Sequence, residues 1–457
     1  MSYTTSGYDA ANPRLKRRNS GTTVLSSDRL LGESDRRRLI ESQRDLWRNY
    51  SVAAWAIRKH LDYVANFTFQ PLSADADFNK DLSHLMRWWS LGENCDISRR
   101  HSLSSIVRLA ECRALLDGDV FLVKHRTGTL QGIESDRVRC EGQGIEEHAD
   151  GTLTVHGIKL NRFGTPEKYK VYRKNRGSYI YERDLPANHV LHLGYFDSFD
   201  QVRGVSPLVS ATASFHDVLE VTEYARLKAK VTQLFALAIY SEQPNYEGEP
   251  AATGGAYDVN FGSGPVKLEL EPNDKADFLE SRHPSTEFQS FITMSLQAAL
   301  KSLDIPWSFY DESFTNFFGS RSALIQYQQS CRSKRERLVA LLDRITSWII
   351  ATWVLDGLLT LPSGMDISDL SWEWIPSGVP WWNPEQEIAG DLAAVEAGLR
   401  TRSEIRRERY GDDWSDVVRR KAAEDDLMRS LGLAVNTGYT APVVQDEIVK
   451  QEPVHEG

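Results

Sequence analysis

The chain has 457 residues, 41% hydrophobic and 26% charged, with a formal net charge of −10. This is the composition of a folded protein, not of a disordered, collagen-like or disulfide-scaffold chain. The acidic balance excludes a protein that coats nucleic acid by bulk charge, and the length allows roughly two to four domains of about 100–200 residues.

Taken in chain order, residues 1–30 are a polar arm made basic by Arg14, Lys16, Arg17 and Arg18. They carry no apolar core of a secretory signal and would bury little surface on ordering. A helical pattern runs over 35–67, and a second helical pair is expected near 81–91 and 102–116. From 119 to 193 the chain turns β-rich. VFLVKH, GTLTVHGIKL, EKYKVYRK, SYIYER and HVLHL are short, β-branched or aromatic runs set apart by Gly, Pro and Asn, which predicts an antiparallel or mixed sheet.

A long helix is expected over 206–239, where Val218, Val221, Ala225, Thr232, Phe235 and Ile239 recur at three- and four-residue steps. Some 34 residues at about 1.5 Å each would span about 50 Å. Residues 240–285 are rich in Gly, Pro and acids and read as an exposed excursion with a small sheet. A helix over 286–303 returns from it. Residues 304–320 form an aromatic loop with Trp307, Phe309, Tyr310, Phe314, Phe317 and Phe318, and Pro306 ends the preceding helix. Another long helix follows over 321–355. The apolar stretch 345–361 is short for a membrane span and is broken by Asp356, so it reads as a buried helix. A Trp- and Pro-dense segment, SWEWIPSGVPWWNP, precedes charged helices over 385–432, and the last twenty or so residues have weak patterning.

Chemistry-bearing motifs are sparse. No G-x-x-x-x-G-K-[ST] loop, H-E-x-x-H or G-x-S-x-G occurs. Cys95, Cys112, Cys140 and Cys331 are scattered and read as free thiols. His189 and His192 are three apart, on opposite faces of a strand. Asp117/Asp119 and Asp311/Glu312 are the carboxylate pairs that would hold magnesium in a nuclease, although such carboxylates more commonly cap helices or face solvent.

Five blocks, residues 36–71, 88–123, 201–231, 305–332 and 379–405, then acquire meaning together. In this order they resemble the lambda-type family of tailed-phage portal proteins over about residues 13–415. Two departures stand out. The family's G-x-G turn is here Asn66-Phe67-Thr68-Phe69, and its N-Y-S-S-A-R element is here Asn316-Phe317-Phe318-Gly319-Ser320-Arg321.

The resemblance implies an α+β portal fold and a ring-shaped homo-oligomer, typically a dodecamer, without catalysis or cofactor. Residues 31–205 would be the wing, 206–239 and 286–303 the stem, 240–285 the clip, 304–320 the tunnel loop, 321–384 further wing, and 385–435 the crown, with 436–457 a loose tail. Tyr310, Phe314, Asn316, Phe317, Phe318 and Arg321 would face the DNA channel, although the loop aromatics would serve equally as core against helix 321–355. Arg226, Lys228, Lys230 and Lys301 would be stem cations near the channel, or ordinary surface charges. Tyr246, Tyr257 and Phe261 would contact partners at the clip. The implied partners are double-stranded DNA, the terminase large subunit, a head-completion or adaptor protein, and the major capsid protein or scaffold, with no membrane. The implied location is the virion's capsid vertex, and the host cytoplasm during assembly. The competing readings are a metal-dependent nuclease, a Trp-rich carbohydrate-active protein, and another virion connector ring.

Overall fold

The computed structural model describes residues 26–142, 144–234, 237–241, 274–278, 286–311, 317–378 and 384–433. They divide into two compact units, Met1–Ala65 with Arg87–Asp356, and Asn66–Met86 with Gly357–Gly457.

The first unit contains two larger antiparallel sheets. Asp119–Lys124 lies between Leu130–Glu134 and Val190–Gly194. Its first five residues are all buried, as expected of the continuous apolar run VFLV. The second sheet is a five-stranded meander of Ile145–Glu147, Leu153–Val155, Ile158–Leu160, Pro166–Asn175 and Ser178–Pro186. GTLTVHGIKL, expected as one run, is a hairpin. His156 (φ 45°) and Gly157 (φ 89°) take the left-handed conformations of a type I′ turn between its halves. Phe121, Val123, Ile133, Val155, Ile158, Tyr169, Val171 and Val190 form one core across both sheets.

The helix expected over 35–67 is two helices, Glu33–Asn49 and Ser51–Val64, separated by extended Tyr50 (φ −116°, ψ 107°). The break lets each helix turn its own apolar stripe inward, Ile40 and Leu46 from one, Ile57, Leu61 and Val64 from the other. Leu103–Asp117 is capped by Ser102 and ends at Gly118 (φ 96°). A Cβ at Gly118 would lie 2.3 Å from the Gly204 carbonyl oxygen, so only glycine permits the two backbones to meet there. Residues 26–30, assigned to the loose arm, include the helical turn Ser27–Leu30. The buried Asp28 carboxylate accepts the Val202 and Arg203 N–H groups at 2.7 and 3.2 Å.

The long helix is shorter than expected. Pro207–Ala211 is a 3₁₀ turn and the α-helix spans Thr212–Leu234. Leu237–Ser241 is instead a strand, paired antiparallel with Asp274–Phe278. Leu237 and Ile239 also fit an alternating pattern, and a partner far along the chain decides between the two periods. The return helix Thr286–Leu300 closes with the 3₁₀ turn Lys301–Leu303. The next helix, Phe317–Leu355, begins four residues before the expected start. By length and composition its Gly319–Leu355 part would suffice to cross a membrane. In the fold, Leu338, Leu341, Leu342, Ile345, Ile349, Ile350 and Trp353 are core residues.

In the second unit Phe67–Pro71 pairs antiparallel with Trp372–Pro376, from the Trp-rich segment. Helices Pro384–Glu396, Arg402–Tyr410 and Trp414–Ser430 follow. Arg402–Tyr410 starts with a Thr401/Glu404 capping box. Arg409 joins it to Glu387 and Asp391 of the preceding helix, at 3.0 and 3.2 Å.

Candidate channel elements and the charge clusters behind them

Helices Thr212–Leu234 and Thr286–Leu300 pack side by side. Their shared core lies at one end, where Ala211, Phe215 and Val218 meet Leu296 and Ala299 together with Leu46 and Ala53. Apolar side chains also stay open, Met294 beside this core and Tyr224 and Leu227 further along. Tyr224 is 62% exposed, Leu227 57% and Met294 63%. Arg226, Lys228 and Lys230 are all exposed on the first helix. At 100° per residue, Arg226 and Lys230 share a face and Lys228 points nearly the opposite way. Lys301 is exposed at the core end of the return helix, whereas Arg226 lies about 20 Å along its helix from Thr212. The four stem cations therefore do not form one cluster.

The aromatic segment divides in two. Trp307–Phe309 is a 3₁₀ turn whose rings pack inward. Phe309 lies 5.8 Å from Tyr63 and 5.3 Å from Tyr327 between centroids. Tyr310 meets Trp307 at 4.8 Å and Trp55 at 5.7 Å, and remains 43% exposed. Asp304, in left-handed conformation, opens the segment. It accepts hydrogen bonds from Lys334 Nζ at 2.8 Å and Ser330 Oγ at 2.5 Å, while Lys334 also reaches the Leu303 carbonyl at 2.9 Å. The segment is thereby pinned to helix Phe317–Leu355. Phe317 and Phe318 enter as the first residues of that helix, and Arg321 is half-buried within it. Phe314 and Asn316, like Tyr246, Tyr257, Phe261 and Glu312, lie outside the described residues.

Three charge clusters hold these elements on the sheets. In the first, buried Asp119 meets Arg203 at 2.7 Å, Arg36 at 3.0 Å and His192 at 3.3 Å, and accepts the Gly204 N–H. Burial alone would raise the Asp119 carboxyl, but the two guanidinium charges hold it well below the usual range. In the second, Glu111 accepts from His60 at 2.9 Å, Tyr195 at 2.6 Å and both carboxylate contacts of Arg337, the shorter at 2.7 Å. Burial pushes this carboxyl up, yet the His60 hydrogen bond and the Arg337 charge bring it down to about 2. In the third, Arg44 holds Asp117 in a bidentate pair at 2.8 and 2.6 Å and reaches Asp136 at 2.9 Å.

The Asp117/Asp119 pair considered for magnesium is thus occupied by arginines from two segments, Arg36 and Arg44 of helix Glu33–Asn49 and Arg203. Among the described residues no group of three His, Cys, Asp or Glu is placed to hold a metal ion. His189 and His192 do not share the strand expected for them: His189 closes the 3₁₀ turn Ala187–His189, while His192 lies in strand Val190–Gly194 against Asp119. Arg36, His60, Glu111, Arg203 and Arg337 were not legible as a set. Nothing local marks them: Arg36 and Arg337 stand among other charged residues and look like surface positions.

A family model described as phage portal protein, lambda family, matches residues 15–335. A curated relative, "Probable portal protein" of Halomonas phage phiHAP-1, is 23% identical over 417 residues, covering 84% of this chain and 77% of that protein. Similar solved structures include the neck of an empty gene transfer agent particle (TM-score 0.47, 13% identity, 80% of this chain and 92% of that one). Another is the neck of the native particle computed with C12 symmetry (TM-score 0.45, 15% identity, 82% and 93%).

Proposed function

Because the chain belongs to the lambda family of phage portal proteins, we propose that it is the portal subunit of a tailed-phage particle. Twelve copies form a ring at one capsid vertex, and double-stranded DNA passes through its centre during packaging and ejection. Terminase docks on the ring first and a head-completion protein later, both at the segment between Ser241 and Thr286. The chain itself supplies a conduit and a docking ring, while a partner ATPase drives translocation.

The observation that supports this reading best is the helix pair Thr212–Leu234 and Thr286–Leu300. It is anchored in a core at one end and leaves Met294 open beside that core and Tyr224 and Leu227 open beyond it. Side chains of this kind are buried when identical subunits meet through heterologous contacts that close by rotation. The net charge of −10 also suits a passage that DNA must traverse without sticking, since phosphate contacts would otherwise retain it. The nuclease reading loses its best carboxylate pair to Arg44, Arg36 and Arg203.

A packaging reaction tests the proposal. Heads assembled with a chain lacking residues 312–316 should carry rings but retain no DNA. That deletion spares the Phe317 helix start and the pinned Asp304–Tyr310 turn. Normal DNA content would remove this loop from the channel, and normal packaging in heads that lack the chain altogether would overturn the portal reading.

A further inference from the structure

After strand Val190–Gly194 the chain leaves its sheet through a short loop, residues 195–201, reading Tyr-Phe-Asp-Ser-Phe-Asp-Gln. The loop is fixed from within. Gln201, itself buried, accepts the Asp197 N–H on Oε1 at 2.8 Å and donates from Nε2 to the Arg203 carbonyl at 2.8 Å. The Gln201 N–H returns to the Ser198 carbonyl at 3.3 Å, and the Phe196 ring packs on His192 with centroids 5.3 Å apart. Phe199 nevertheless stands fully exposed, between the exposed Asp197 and Asp200. Aromatic side chains of this kind anchor protein interfaces, and a loop already ordered pays little further entropy when a partner covers it.

The same unit carries a hollow of about 230 Å³ between helix Glu33–Asn49 and residues 135–139, with room for one aromatic side chain. Ile40 and Val138 in its lining are buried, and the Arg139 guanidinium lies over the Tyr179 ring at 4.7 Å. Arg37, Glu41, Arg44 and Arg48 line it from one face of the helix, at steps of four, three and four residues. Arg36 is engaged with Asp119, Arg44 with Asp117 and Asp136, and Arg139 approaches Glu33 at 3.8 Å. Arg37 and Arg48 are exposed and form no ion pair among the described residues. Against these two charges stands one carboxylate, Glu41, so the solvent side of the hollow keeps an excess of one positive charge.

We propose that the Phe199 loop of one copy of this chain seats in this hollow of a second copy. Phe199 fills the cavity against Ile40, Val138 and Tyr179, and Asp197 and Asp200 meet Arg37 and Arg48. Shape and charge both match, an acidic aromatic knob against a cationic hollow with an apolar lining. The knob cannot serve its own chain, because the clamped loop holds Phe199 in solvent. Knob and hollow are different patches of one chain, so the contact repeats head to tail and closes by rotation. The inference rests on the ring proposed above and gives neighbouring copies a second contact besides the helix pair.

Photo-crosslinking on the full-length protein tests it. Phe199→benzoylphenylalanine keeps an aromatic knob. Irradiation should link copies into a ladder of dimers and larger species on a denaturing gel, with the linked peptides covering residues 33–48, 135–139 or 179. Asp197→Arg/Asp200→Arg should raise the concentration at which the oligomer dissociates by about tenfold or more, and Arg37→Asp/Arg48→Asp should do the same. The four changes together should restore it. All four side chains are exposed, so thermal melts should stay unchanged. Oligomers that link elsewhere or only into dimers, or whose dissociation ignores both charge reversals, would overturn this contact and leave the portal reading standing. An unaltered chain that stays monomeric would overturn both.

Discussion

Asp119 is fully buried and meets the guanidinium groups of both Arg203 and Arg36. Arg203 also donates to the carbonyls of Val138, His156 and Ser135, so one side chain ties both sheets to the segment that leads into Thr212–Leu234. Removing it leaves a buried carboxylate with incomplete compensation. Arg203→Ala should cost about 3–5 kcal/mol, read from denaturant unfolding. A loss under about 1 kcal/mol, the scale of an exposed pair, would contradict that role. The Glu111 cluster predicts a pH dependence. Burial lowers His60 below its ordinary 6.5, although Glu111 opposes the shift. The folded chain therefore keeps this imidazole neutral where the unfolded chain protonates it, and stability falls as pH drops below about 6.5. Burial lowers His192 likewise. Glu111, held at about 2 against an ordinary 4.5, adds a second loss that begins below about pH 4.5. Thermal melts should decline between pH 7 and 5. His60→Gln, which retains an N–H donor for Glu111, should flatten that decline, and an unchanged slope would remove His60 from the account.

In the proposed ring, assembly would depend on the helix pair. Leu227 and Met294 are exposed, so Leu227→Asp/Met294→Glu should leave subunit stability within about 0.5 kcal/mol per site. The same change should abolish ring formation, seen as a shift from oligomer to monomer on size-exclusion chromatography. Rings of normal size would move the subunit interface elsewhere. This pair was largely legible in sequence. The periodicity of Val218, Val221 and Ala225 marks the first helix, and the Gly/Pro-rich stretch marks the interruption before Thr286. The strand at Leu237–Ser241 was not, because its register with Asp274–Phe278 is a long-range fact that no local window contains. Tyr50 was missed for a different reason. Apolar spacing continues on both sides of it, and only the backbone angles reveal the break. Of the loop aromatics, Trp307 and Phe309 serve the core as one of the two readings allowed. Phe309's partners Tyr63 and Tyr327 come from other helices, and Trp307 packs against the core of the helix pair, so composition could not choose. The arginine clusters were the least legible, since Arg36, Asp119 and Arg203 are each more than eighty positions apart.

At the scale of the whole molecule, the acidic balance and the family membership have to be reconciled. A chain with net charge −10 does not hold DNA by bulk attraction, and its exposed stem cations are dispersed over different faces and both ends of the helix pair. Both features suit a conduit more than a clamp. The length that first suggested several independent domains is divided into two compact units, each built from segments distant in sequence. Electron microscopy of the purified full-length protein tests the central claim most directly. The account predicts closed rings of about twelve subunits with an open central channel. A monodisperse monomer, above all one with divalent-dependent nuclease activity, would contradict it.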